Sequence, residues 1–328
     1  MRVCIFGAGA IGGMLGFLLK KNSIDVTLIA RREHYKAIKE NGLTFISSEY
    51  NIDETIKFTI YDNLESLGKF DLVINSLKAH SANQTAASVA SILDSDSIML
   101  PTLNGVPWWF FYKFGGKFDN YKLGTVDPGQ NQWNSIHPQK VIGCVVYPAA
   151  IISKPGVIEH IEGKRFILGE PDNTKSERVI RVSNLLNKAG LKAPISKDIR
   201  SDIWLKLIGN SSFNPLSVIT QSTLKEICDN EDTKSIIENM MKETILIGEK
   251  LNIRQKLSIE KRIEGARKVG NHKTSTLQDF QNKRPLELDV LIHALIELGK
   301  LTDVNTPTLD TIYKIAKVLA EQNGCESV

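Results

Sequence analysis

Hydrophobic and polar positions change rhythm once along this chain. In the first half, short apolar runs alternate with stretches of helical period. "RVCIFG" (2–7) is a strand-length apolar run, "AIGGMLGFLLKK" after it has helical character, and "DVTLIA" (25–30) is a second strand. "FDLVINS" (70–76), "SIMLPTL" (97–103) and "VIGCVVYPAAI" (141–151) continue the strand series, with a helical "ANQTAASVASIL" between two of them. Strands alternating with helices predict a parallel, doubly wound sheet. The segment "GVIEHIEGKRFILGE" (156–170) has the look of a hairpin at the sheet edge, turning at "EGKR"; a helix near 174–189 and "KAPIS" close the domain. The polar loop "DPGQNQWNSIHPQK" (127–140) is expected to be a mobile insertion.

From about residue 198 strand signals stop, and amphipathic windows take over at 200–219, 231–251, 255–269, 286–300 and 308–322. The pattern predicts an α/β chain: a Rossmann-type, doubly wound N-terminal domain over 1–197 and an all-helical domain over 198–328. One of those windows is odd. In "DIWLKLIGNSSFNPLSVIT" (202–220), Lys206, Asn210 and Asn214 recur every four residues within an otherwise apolar helix. At 100° per residue the three drift only about 80°, so they share one face.

Composition narrows the possibilities. The chain has 328 residues, 42% hydrophobic and 24% charged, as ordinary soluble domains have. Its net charge of +4 comes without the Lys/Arg blocks of a nucleic-acid arm, and no nucleic-acid partner is expected. No window approaches the roughly 20 apolar residues of a membrane span, so no membrane partner is expected either. The opening "MRVCIFGAGAIGGMLGFLLKK" imitates a signal peptide, but regularly spaced glycines interrupt its apolar run and a strand precedes them. Four scattered cysteines without a CxxC pair fit free thiols in a reducing compartment, and the expected location is the cytoplasm. The six histidines show no metal-ligand spacing, so no metal site is expected.

Chemistry first appears in Gly7-x-Gly9-x-x-Gly12, placed directly after the first strand and opening a helix. In that context Gly7 permits the turn, Gly9 admits a pyrophosphate close to the backbone, and Gly12 allows tight helix–strand packing. Residues Gly7, Ala8, Gly9, Ala10, Ile11 and Gly12 are the candidate cofactor cradle. The second strand ends in "ARRE", placing Arg31 where an acidic residue would bind a free ribose 2′-hydroxyl. A guanidinium suits a 2′-phosphate instead, which favours NADP over NAD, although Glu33 keeps NAD in view.

Five segments together resemble the ketopantoate reductase (2-dehydropantoate 2-reductase) family: "GAGAIG" at 7–12, "LKAHS" at 77–81, "LNG" at 103–105, "WLKLIGNSSFNP" at 204–215 and "TSTLQDFQNKRPLELD" at 274–289. The resemblance implies an NADPH-dependent reductase of a small 2-oxo acid. It gives Lys206 the role of general acid, Glu287 that of its carboxylate partner, and Asn210, Asn214 and Ser275 those of substrate ligands. It puts Lys78 and Asn104 beside the nicotinamide and substrate. The residue chemistry agrees: a ketone needs a proton on oxygen as well as a hydride on carbon, and a positioned ammonium can supply that proton. The run "PWWFFYKFGGKF" (107–118), which departs from the family's shorter members, is expected in core or interface, and it leaves the identity of the 2-oxo acid open. An opine-type or β-hydroxyacid dehydrogenase, and a non-catalytic NADP-sensing protein, remain alternatives. Oligomeric state is not fixed by the sequence, and a homodimer is compatible with it.

Overall fold

The computed structural model describes residues 1–65 and 67–325. Contacts divide the chain into two units: the first comprises 1–103, 109–122 and 129–199, the second 104–108, 123–128 and 200 onward.

In the first unit the strands are β1 (Arg2–Phe6), β2 (Asp25–Ile29), β3 (Leu43–Ser47), β4 (Ile52–Ile56), β5 (Thr59–Tyr61), β6 (Leu72–Asn75), β7 (Ile98–Pro101), β8 (Gly143–Val146), β9 (Ala149–Lys154), β10 (Val157–Glu162) and β11 (Phe166–Gly169). Five of them form a wholly parallel sheet in the order β5-β2-β1-β6-β7, the doubly wound Rossmann arrangement with β1 at its centre. A second sheet runs β4-β3-β10-β9, and β8 pairs with β11 on its own. The first helix, Ala10–Lys21, is buried from Gly12 to Leu19 because it lies against both larger sheets. A Cβ on Gly16 would stand 2.7 Å from Leu28 of the parallel sheet, and one on Gly13 would stand 2.9 Å from Ile158 of the other. Phe17 meets Phe45 of β3 at 5.1 Å between ring centroids. Burial on two sides explains why this helix is apolar enough to imitate a signal peptide.

Three expectations need correction. The segment 156–170 is not a hairpin: β10 pairs with β9 and, in parallel, with β3, whereas β11 pairs with β8. The tight turn lies earlier, at Lys154–Val157, where Pro155 presets one dihedral and Gly156 takes φ +81°. The single strand read over 141–151 is two strands, β8 and β9, in different sheets. The 127–140 segment is not a loose insertion. It folds into short helical turns that bury Gln132, Trp133 and Ile136, and Arg178 donates to the carbonyl of Gln139 at 2.6 Å. The aromatic run lies in the core, with Trp108, Trp109, Phe110 and Phe111 all buried.

Among the described residues no strand follows β11. The second unit is built from helices Ile199–Thr220, Leu224–Asp229, Glu231–Lys250, Ile259–Val269 and Ser275–Gln281, a π-helical turn Asp289–His293 running into Ala294–Thr302, and Pro307–Gln322. Side-chain oxygens start several of them: Thr223 and Glu226 form a reciprocal capping box, and Asn230, Ser258 and Thr274 cap the next three. Pro307–Gln322 is started differently. The buried Glu243 carboxylate accepts the backbone N–H groups of Thr308 and Leu309 at 2.8 and 2.9 Å. No helix among the described residues is long and apolar enough to cross a membrane.

Candidate active site

In the first unit, β1 delivers the chain to Gly7, whose φ of +99° a side chain would strain. A Cβ on Gly12 would fall 2.1 Å from the Gly7 carbonyl oxygen, so the turn closes only around glycine. Gly9 behaves differently, because its absent Cβ points into open space where a ligand can approach the backbone. Gly9 is the N-cap of the first helix and the first turn holds no acidic residue, so the N–H groups of Ala10, Ile11 and Gly12 present unopposed positive charge. The N–H groups of Gly7 and Ala8 both donate to the Ile29 carbonyl, at 3.1 and 2.8 Å. Arg31 follows β2 as the N-cap of helix Arg32–Asn41, and both arginines are exposed. Neither forms an ion pair among the described residues. Lys78 is the half-buried N-cap of helix Ala79–Gln84. These features suit a dinucleotide: a glycine turn, free helix-start donors and an uncommitted guanidinium after the second strand.

In the second unit, helix Ile199–Thr220 buries Trp204, Leu207, Ile208, Phe213 and Leu216. The indole N–H of Trp204 donates to the Thr244 carbonyl at 3.2 Å, and the ring lies against Gly248, where a Cβ would approach to 2.5 Å. The polar stripe occupies another part of the helix. Lys206 and Asn210 are half-buried and Asn214 is buried. Neither the Asn210 nor the Asn214 side chain makes a hydrogen bond among the described residues, so the stripe carries two uncommitted amides. Neither amide is among the fully enclosed polar atoms that lack a partner, so both are open to a ligand that can take up their bonds.

The lysine, by contrast, is held. Its ammonium donates to Asn104 Oδ1 at 2.7 Å, and Asn104 Nδ2 points to Glu287 Oε2 at a long 3.5 Å. The amide thus turns its acceptor to the cation and its donor to the carboxylate, the orientation that both charges favour. Residues 104 and 287 meet because the chain at 105–106 docks on the π-helical turn. Val106 N–H donates to the Val290 carbonyl at 2.9 Å, and Gly105 (φ +83°) comes so near that a Cβ would sit 2.3 Å from the same oxygen. The accepting carbonyl belongs to the wide turn at Asp289–His293, a local irregularity in the helical ladder. Ser275 is exposed at the first position of its helix. Its neighbour Thr274 shares a 2.6 Å hydrogen bond with Ser217, one turn beyond Asn214, which ties that segment to the striped helix. The structure therefore joins Lys206, Asn104 and Glu287 through side-chain bonds, and Ser275 to the same helix by way of Ser217. Gly105, Ser217 and Thr274 lie in segments the sequence singles out, but only the fold reveals what each of them touches.

A glycine turn at the start of a helix in one unit, and in the other a lysine oriented beside open amides, are arrangements that suit an oxidoreductase. Residues 3–113 match the family model described as ketopantoate reductase PanE/ApbA, and residues 198–320 match that of its C-terminal domain. The 2-dehydropantoate 2-reductase of Mesorhizobium japonicum is 44% identical over 328 residues, all of both chains. A structure from Ralstonia solanacearum MolK2 described as a ketopantoate reductase superposes with a TM-score of 0.93 at 34% identity, covering 98% of each chain. A D-mandelate dehydrogenase solved with NADH and anilino(oxo)acetate shares the fold, with a TM-score of 0.85 at 21% identity over 99% of this chain and 100% of that one. The chain belongs to the ketopantoate reductase family.

Proposed function

We propose that this protein uses NADPH to reduce a small 2-oxo acid, 2-dehydropantoate foremost, to the corresponding 2-hydroxy acid. The dinucleotide, when bound, supplies the hydride. The glycine loop holds its pyrophosphate and Arg31 its 2′-phosphate, with Lys78 toward the nicotinamide end. Lys206 gives the proton to the ketone oxygen as negative charge develops there. Asn104 and Glu287 keep that ammonium charged and aimed, while Asn210, Asn214 and Ser275 hold the rest of the substrate.

The observation that carries this reading is the contrast within one polar stripe: the lysine is oriented by a 2.7 Å bond, while the two amides beside it are left uncommitted. Amides that make no bond within the protein are available to a ligand. The names of the relatives support the choice of 2-dehydropantoate, and Arg31 supports NADPH over NADH.

Lys206→Ala tests the proposal. Turnover of a panel of 2-oxo acids, followed by loss of NADPH absorbance, is expected to fall by roughly 10²–10⁴ in kcat while NADPH binding and thermal stability hold. Near wild-type turnover in this variant would remove Lys206 from the chemistry. A wild-type protein that reduces none of the panel would remove the substrate class.

A further inference from the structure

His34 carries no sequence signature, yet both of its ring nitrogens are committed. Gly156 donates its N–H to Nδ1 at 3.0 Å, which makes Nδ1 an acceptor and leaves the proton of the neutral ring on Nε2. Nε2 lies 2.8 Å from the Ala8 carbonyl and donates to it. Burial lowers the imidazole pKa and the Ala8 bond opposes that shift, so the neutral ring this geometry needs is the form that desolvation also favours.

Ala8 lies inside the glycine loop, 1% exposed, with its N–H already given to the Ile29 carbonyl. Its carbonyl cannot turn to water, and His34 is the partner that satisfies it. His34 also stands three residues after Arg31, in the helix that Arg31 caps. One imidazole therefore ties together the loop for the pyrophosphate, the helix that starts at the 2′-phosphate arginine, and the Gly156 turn of the second sheet.

We propose that His34 is a positioning residue for the cofactor: by holding the Ala8 carbonyl it fixes the phosphate loop in its receiving shape. This rests on reading the loop as a dinucleotide site. The phosphate loop serves NADPH and NADH alike, so His34 acts on both cofactors equally, whereas Arg31 acts on NADPH alone.

Two substitutions separate the two bonds. In His34→Gln the side-chain amide can reach the Ala8 carbonyl in place of Nε2–H; in His34→Asn the Oδ1 stands where Nδ1 stood and keeps only the Gly156 bond. Dissociation constants for NADPH and for NADH are measured by fluorescence titration, with a thermal melt of each variant. The Asn variant is expected to weaken both cofactors in parallel, by roughly 5- to 20-fold, as expected for leaving one buried carbonyl unpaired; the Gln variant should stay within about twofold of wild type on the same scale. Equal losses in the two variants, or none in the Asn variant, would overturn the proposal. Should the Asn variant not fold, nitrogen NMR of the wild-type imidazole decides. An Nε2–H tautomer, free and with NADP⁺ bound, supports the strut, and an Nδ1–H tautomer overturns it. A wild-type protein that binds neither dinucleotide would defeat the functional reading itself, a result distinct from normal binding by an unimpaired Asn variant.

Discussion

Asn104→Ala is the most discriminating perturbation of the proposed proton donor, because it leaves both charged side chains, Lys206 and Glu287, in the chain. Two bonds are lost, and they are unequal. The contact from Lys206 Nζ to Oδ1, at 2.7 Å, is short and charge-assisted, of a kind worth about 1.5–3 kcal/mol. The contact from Nδ2 to Glu287, at 3.5 Å, is at the outer limit of a hydrogen bond and contributes little. The backbone stays in place, since Gly105 and Val106 dock on Val290 without help from the Asn104 side chain. If the short bond serves to aim the ammonium in the transition state, kcat/KM falls by roughly 10- to 150-fold, at about 1.4 kcal/mol per factor of ten. The assay is steady-state NADPH oxidation over a range of 2-oxo acid concentrations, with a thermal melt beside it. Asn104→Asp supplies the sign: an added carboxylate favours the charged lysine, so the alkaline limb of the kcat/KM profile moves to higher pH. An Ala variant within about threefold of wild type at an unchanged melting temperature, well short of the loss expected for a charge-assisted bond, would refute the argument. A large fall in melting temperature would instead assign Asn104 to the architecture.

Two further outcomes follow from other parts of the molecule. Arg31→Ala should weaken NADPH by about 1.5–3 kcal/mol while leaving NADH nearly unchanged, and parallel titrations of the two cofactors read the difference. Glu243→Gln removes the charge from a buried carboxylate that receives the Thr308 and Leu309 N–H groups and keeps only one acceptor oxygen. Denaturant unfolding should show a loss of about 1–3 kcal/mol, with NADPH affinity unaltered.

Legibility in the sequence followed the range of the interactions. The first strand, glycine turn and buried helix were readable because each is set by residues adjacent in the chain. The stripe at 206, 210 and 214 was readable because helical spacing alone puts those residues on one face. Strands β4 and β5 gave little signal: "IDETI" is charged at its centre and largely exposed, and "TIY" spans three residues. The misread hairpin shows the opposite failure. β10 takes as a neighbour β3, more than 100 residues earlier, and no local pattern announces such a partner. The Pro155-Gly156 turn was the available clue that pointed to β9 instead. His34 lay beyond any pattern reading, because its importance comes from Ala8 and Gly156, 26 and 122 positions away.

The second unit borrows two short segments, 104–108 and 123–128, from the first half of the chain. The Glu297 carboxylate receives the N–H groups of Gly124 and Thr125 at 3.0 and 2.9 Å, just as the Val290 carbonyl receives that of Val106. During synthesis these segments emerge long before the helices that will hold them, so closing the unit requires a late, long-range loop closure. A fragment starting at residue 200 would contain Lys206 and Glu287 but not Asn104, and would reproduce neither the aim of the lysine nor the docking of the π-helical turn. No single cut of the chain therefore separates the two units.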